Sequence, residues 1–432
     1  LFRLALPAIA AQLINVLYNI VDRVYLGHIP GVGGLALTGV GVCSPIILII
    51  SAFAALVSMG GAPLASIELG KQNQDGAKRI MGSCFALQVV LSLVLTAACL
   101  LWSEPLLRLF GASENTLPYA TQYINVYALG TLFVQLTLGM NAFISAQGFA
   151  KTSMLTTLIG AVCNIILDPI FIFGLFGLPK MGVTGAAIAT VIGQFCAMLI
   201  GYLITKVKIK DLEVKFSNFS FSGSILKKIY KVGFPAILMQ SVLSFMTVFM
   251  NMILAPFSDI AISVFSVYYK LQNFLNMAVL GITNALIPII AYNYGAKRFD
   301  RVKKSIQFSL VLSIVIMAIG MLVFRIFARP LMALFSATDE MYAIGIPALQ
   351  IISLSFIFAG INVVLCSAFQ ALNHANTSLF ITLARQLVFL LPLTYFLMHQ
   401  FDINTGWYAF VLTEGVCAIF ACIYYRKLKQ SI

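Results

Sequence analysis

The sequence predicts an all-α polytopic membrane protein whose twelve transmembrane helices form two parallel six-helix repeats around a central cleft. Three observations predict it. Of 432 residues, 61% are hydrophobic and only 9% are charged, against about 25% charged in a soluble domain. Twelve apolar runs are long enough to cross a bilayer, which takes about 20 residues each. Short patterns from the first half recur in the same order in the second half.

The runs fall at roughly 4–27, 35–67, 80–102, 117–142, 152–176 and 183–205, then 225–254, 260–290, 305–327, 341–369, 378–398 and 405–425. Alternate loops collect the basic residues. With Arg3 and the C-terminal Arg426, Lys427 and Lys429, they place 20 of the 27 Lys and Arg residues on one side. By the positive-inside rule both termini and the long central loop face the cytoplasm of a cell membrane. The same topology explains the net charge of +13 without nucleic acid as a partner. The chain has no initiator Met and its first helix is under way at Leu1, so the N-terminus is expected to be trimmed.

Repetition sets the domains. Leu4-Ala-Leu-Pro7-Ala-Ile9 recurs as Val232-Gly-Phe-Pro235-Ala-Ile237, and Leu109-Phe-Gly-Ala-Ser-Glu114 as Leu334-Phe-Ser-Ala-Thr-Asp339. Pro63 and Gly70 correspond to Pro288 and Gly295, and Gln147 to Gln370, at offsets of 223 to 228 across the whole set. Six helices per half make the repeats parallel. The expected lobes are 1–205 and 225–432, joined by a Lys- and Ser-rich cytoplasmic linker at 206–224 that acts as a solvated tether. Lobes arranged in this way rock around a cleft, as a secondary transporter requires.

Cysteine and histidine carry no metal chemistry here. All eight cysteines lie inside apolar runs without a C-x-x-C pair, and read as small buried hydrophobes. His28, His374 and His399 are placed in loops and make no ligand pattern. No nucleotide-binding motif, HExxH, GxSxG or His–Asp face is present, so no enzyme and no cofactor beyond a coupling ion are expected.

The chemistry concentrates on Asn164-Ile-Ile-Leu-Asp168-Pro169. Residues four apart share one helix face, and Pro169 lacks the N–H that the Ile165 carbonyl would accept. An ionisable carboxylate, an amide and a freed carbonyl therefore share a patch at membrane depth, where an acid costs several kcal/mol unless it is paired, protonated or wet, which makes it a functional candidate. The plain alternative is a kinked helix whose acid a neighbour neutralises. In the first run Gln12, Asn15, Asn19 and Asp22, with Tyr18, form one polar stripe. Amides there serve either a lumen or interhelical hydrogen bonding, but such glue does not need a carboxylate. Asp22 and Asp168 both fall near the outer ends of their helices. Together they could take up a proton, or clasp a small hard cation with amide and carbonyl oxygens. The second half has buried Lys270, Arg385 and Glu414, and a Lys270–Glu414 pair across that lobe is the bland expectation.

With these residues in view, the chain resembles the multidrug and toxic compound extrusion (MATE) family along essentially its whole length, and its bacterial branch in particular. The resemblance rests on Leu6-Pro7 followed by Asp22, and on Asn164…Asp168-Pro169. Gly182-Val-Thr-Gly-Ala-Ala-Ile-Ala-Thr190 and Tyr292-Asn-Tyr-Gly-Ala-Lys297 after Pro288 complete it. It implies a monomeric exporter that sends cationic or amphipathic small molecules out of the cell against inward H⁺ or Na⁺. It also implies a coupling site of Asp22, Asn164, Asp168 and Thr190, with Na⁺ at the first three when Na⁺ is the ion. Gln12, Asn15, Tyr18, Asn19, Lys270 and Glu414 remain candidates for the substrate cleft. Two rival readings are a lipid-linked oligosaccharide flippase of the same superfamily, which would favour an Arg- and Lys-rich cavity, and a membrane-embedded enzyme.

Overall fold

The computed structural model describes residues 2–208, 222–335 and 337–431, and no strand occurs among them. Most of the 206–224 linker therefore lies outside the described residues.

The chain begins with α1 (Phe2–Gly27), α2 (Gly33–Gly70) and α3 (Gln74–Leu109), then α4 (Leu117–Leu129) and α5 (Thr131–Ala146), α6 (Ala150–Phe173) and α7 (Gly182–Lys208). It continues with α8 (Gly223–Leu254), α9 (Asp259–Gly295), α10 (Phe299–Ile326), the short α11 (Ala328–Ala333), α12 (Asp339–Ile352) and α13 (Phe356–Ala371). Last come α14 (Ala375–Leu383), α15 (Leu390–Gln400), the single-turn α16 (Ile403–Gly406) and α17 (Tyr408–Ser431).

Eleven helical stretches among the described residues are long and apolar enough to cross a membrane, and the bent pair α4–α5 makes twelve when counted as one span. The sequence places one unbroken helix at 117–142. Instead the chain turns by 56° between α4 and α5, at Gly130. A Cβ on Gly130 would collide with the Val191 side chain on α7, so only glycine lets the bend press that close. The predicted end of the third run at 102 marks a kink. Trp102 leaves helical geometry (φ −121°, ψ 22°) three residues before Pro105, and the helix then resumes to Leu109. Within 378–398 the helix widens to a π-turn at Ala384–Phe389 before α15 begins.

The chain forms two compact units, Leu6–Phe234 and Pro235–Ile432 together with Leu1–Ala5. Both divisions fall beside a proline, Pro7 in α1 and Pro235 in α8. The opening of α1 packs in the second unit, where Ala5 contacts Ile282 and Ala285. The opening of α8 packs in the first, where Gly60 and Gly233 allow α2 and α8 to touch backbone to backbone. A Cβ on Gly233 would run into the Leu56 carbonyl. In lipid, apolar transfer does not drive helices together, so small residues that permit such close packing hold the bundle.

In the first unit the core gathers Leu26, Cys43, Ile50, Leu107, Ile124 and Val134 from five helices. In the second, Met250, Phe265, Tyr268, Phe324, Phe356 and Trp407 form the larger centre. Backbone groups are satisfied inside the helices, as a bilayer requires. Many hydroxyls return to the carbonyl one turn back, among them Ser66 to Ala62 at 3.0 Å and Thr382 to Ser378 at 2.9 Å. Five cysteines are buried, the other three are half-buried, and none is paired among the described residues. His399 lies in the last turn of α15, not in a loop. His374 meets the Tyr424 hydroxyl at 3.0 Å.

Candidate functional site

α6 and α7 form the most extensive helix pair of the first unit, and their closeness is set by glycine. A Cβ on Gly193 of α7 would come within 2.7 Å of the Gly160 carbonyl on α6, and within 3.2 Å of the Asn164 Cβ. With the helices held so near, Asn164 reaches two ways. Its Nδ2 donates to Asp168 Oδ1 one turn on at 3.1 Å, and to Thr190 Oγ1 across the gap at 3.3 Å. Thr190 in turn donates to the Ala186 carbonyl at 3.0 Å, so its oxygen accepts from Asn164 in a fixed rotamer.

Asp22 arrives from α1. It and Asp168 each stand five residues before the last residue of their helices, Gly27 and Phe173, and both are buried. Their carboxyl groups are neighbours. Three buried oxygens here have no hydrogen-bond partner: Asp22 Oδ1, Asn164 Oδ1 and Asp168 Oδ2. Buried polar atoms are normally paired, and a trio of orphaned acceptors in one pocket is what a proton or a hard cation would satisfy. The donor set is all oxygen, which suits Na⁺ rather than a softer metal. No group of three or more His, Cys, Asp and Glu capable of holding a metal occurs among the described residues.

Two tyrosines that sequence reasoning missed complete the pocket. Tyr123 and Tyr127 on α4 are buried and stack with ring centroids 6.1 Å apart. Tyr123 is a neighbour of Thr190 and Asp22. Their spacing of four on one helix was the available signal, but in an apolar run it reads equally well as a packing face.

The rest of the α1 stripe is less enclosed. Gln12, Asn15 and Tyr18 are half-buried, while Asn19 is exposed and donates back to the Asn15 carbonyl at 2.6 Å. Arg23 is exposed.

In the second unit the expected Lys270–Glu414 pair does not form. Lys270 is exposed, with its ammonium 5.8 Å from the centre of the Phe335 ring. Glu414 pairs with Arg385 at 3.4 Å and accepts from Asn362 Nδ2 at 2.8 Å. Lys270 belongs to a different face of α9 from the one turned toward Glu414, which carries Tyr269, Gln272, Asn273 and Asn276.

Two units of long apolar helices, with buried acids at membrane depth, define a multi-spanning transporter fold. The family model for MatE matches twice, at residues 7–170 and 235–396, and the chain belongs to the MatE family, multidrug and toxic compound extrusion. The two matches are offset by 226 to 228 residues, the spacing of the internal repeats. The multidrug export protein MepA of Staphylococcus haemolyticus is 25% identical, over 99% of this chain and 93% of its own length. MepA of Staphylococcus aureus is 24% identical over the same shares. Among solved structures, a multidrug resistance MATE family transporter in its outward-facing conformation superimposes at a TM-score of 0.89, with 24% identity over 100% of this chain and 95% of that one. A MATE protein crystallised in a bent conformation reaches 0.91 with 24% identity over the same shares. These likenesses establish the fold.

Proposed function

We propose that this protein is a secondary active exporter that expels cationic or amphipathic small molecules across the cell membrane in exchange for H⁺ or Na⁺. The observation that carries the reading is the pocket of Asp22, Asn164 and Asp168, with two neighbouring carboxyls and three buried acceptors left without partners. Binding one proton or one Na⁺ there removes a charge from an apolar wall, which then closes without water. Releasing the ion restores the charge and favours a wetter arrangement. A ligand shifts such an equilibrium only by its difference in affinity for the two states. Exchange follows when a substrate cation and the coupling ion prefer opposite states.

The multidrug export activity named for the staphylococcal relatives, which match over nearly the whole chain, supports this substrate class. The basic loops support cytoplasmic termini. Pocket chemistry disfavours a flippase for pyrophosphate-linked lipids, because the first-unit site presents carboxylates to its ligand.

The deciding experiment is transport in sealed vesicles under pH and Na⁺ gradients imposed separately. Efflux of a fluorescent organic cation should follow one gradient and ignore the other. Equal efflux with no gradient of either ion would overturn the exchange reading.

A further inference from the structure

The second unit holds a cavity of about 160 Å³, with charged and polar groups set in a largely apolar wall, that the coupling pocket does not use. Its wall combines Arg385, Glu414, Gln272, Asn273 and Thr413 with the aromatic faces of Tyr268 and Phe410. Three features set it apart from an ordinary structural ion pair. Glu414 is held in place without help from Arg385, because Asn362 Nδ2 donates both to its Oε2 at 2.8 Å and to its backbone carbonyl at 3.0 Å. The Arg385–Glu414 contacts are loose, 3.4 Å and 3.5 Å, where a tight charge-assisted bond runs to about 2.7–2.9 Å. Finally, the Thr413 hydroxyl is buried, 2% exposed, and has no hydrogen-bond partner. Many helical hydroxyls elsewhere in the chain fold back on the carbonyl four residues earlier, as Thr190 and Thr247 do; Thr413 does not.

We infer that this cavity is a binding site for a small α-amino-acid-like zwitterion with an apolar side chain. Arg385 and Glu414 stand side by side, 3.4 Å apart at their nearest atoms, so one ligand bearing adjacent carboxylate and ammonium groups can meet both. A ligand carboxylate takes the guanidinium in place of the Gln386 amide oxygen, which faces Arg385 Nε and Nη2 at 3.3 Å and 3.2 Å, and its ammonium takes Glu414 together with the idle Thr413 oxygen. The pair need not be separated and no net charge is buried. The side chain lies against Tyr268 and Phe410, whose rings meet edge to face at 5.8 Å. At about 160 Å³ the cavity is smaller than the ~300 Å³ at which drug-sized pockets begin. Arg385 sits on the π-turn Ala384–Phe389, a widened backbone frequent at functional sites.

This inference is independent of the exchange reading, since it concerns the other unit and is tested by binding alone. Trp407 is a built-in reporter, fully buried with its ring 6.5 Å from Phe410. In a Trp102→Phe background the full-length protein, in detergent, is titrated with L-leucine, 3-methylbutylamine and 4-methylpentanoate while Trp407 emission is followed. L-Leucine should bind about tenfold or more tightly than either singly charged analogue, because each of those leaves one member of the pair unsatisfied. Arg385→Lys and Glu414→Gln should each erase that preference. Thr413→Val, which breaks no existing hydrogen bond, should weaken L-leucine several-fold while leaving the thermal melt unchanged. The proposal is overturned if either analogue binds as tightly as L-leucine, if no probe gives a saturable change, or if the preference survives both charge variants.

Discussion

Asn164 donates to Asp168 across a single helical turn at 3.1 Å, and the same amide nitrogen reaches Thr190 at 3.3 Å. The amide thus fixes one oxygen of the acid and leaves the other, Oδ2, without a partner. Asp168→Asn keeps the shape of the side chain and removes its titration. Export driven by an imposed H⁺ or Na⁺ gradient should fall by more than about tenfold, the factor that ~1.4 kcal/mol supplies, with insertion and folding intact. The same is expected of Asp22→Asn. A normal rate in either variant would make that carboxylate structural and shift attention to Glu414.

Removing the Thr190 hydroxyl tests the outer edge of the pocket. Thr190→Val deletes the acceptor for Asn164 and the neighbour of the Tyr123 hydroxyl, yet preserves volume. The half-saturating concentration of the coupling ion should rise about three- to tenfold, since one neutral hydrogen bond nets roughly 1 kcal/mol. Maximal export should change little. A collapse of the maximal rate with unchanged half-saturation would assign Thr190 to the conformational step.

Gly193 faces the Gly160 carbonyl at a distance that admits no side chain. Gly193→Ala should therefore push α7 from α6, at an overpacking cost of about 1–3 kcal/mol. The added methyl would also crowd the Asn164 Cβ. Two readouts should move together, a lower Tm and a rise in the coupling-ion half-saturating concentration comparable with that of Thr190→Val. An alanine variant that melts and transports like the parent would show that the two helices separate freely.

At the far end of the second unit, Asp402 caps the turn that leads to Trp407. Its Oδ1 accepts from the Thr405 hydroxyl and, at 2.9 Å, from the Thr405 N–H. These bonds hold the carboxyl below the usual carboxylate range. A lowered folded value means the stabilisation is complete above the unfolded value, about 3.9, and is lost as pH falls through the folded value. Asp402→Ala should cost about 0.5–1 kcal/mol at pH 7, toward the low end for an exposed cap. The difference in Tm between parent and variant should shrink in acid; a difference that grows on acidification would contradict the assignment.

Span number and the repeat were legible because hydropathy and short-range motifs are properties of the chain itself. Asp22, Asn164 and Asp168 stood out for a related reason, since a carboxylate in an apolar run is costly unless it is paired, protonated or wet, and is rarely kept without a role. The bend at Gly130 was not legible. A lone glycine leaves hydropathy unchanged, and the reason for it, Val191, lies on another helix. Tyr123 gave no sign of its neighbours for the same cause. Pairing Glu414 with Lys270 failed because choosing between two cations needs the helix faces, and the π-turn that brings Arg385 round cannot be read from a period of 3.6.

The openings of α1 and α8 are exchanged between the two units: Leu1–Ala5 counts with Pro235–Ile432, and residues 223–234 with the unit that begins at Leu6. The repeats are consequently not interchangeable modules. A polypeptide cut between 208 and 222 would yield two fragments, the first carrying about one turn of helix and the second about three, each completing the other's bundle. Chimaeras that join the first repeat of one family member to the second of another must match sequence at Gly60, Gly233 and Ala5, well away from the splice. Drift in one repeat's first helix is thereby answerable to selection on the other repeat's packing.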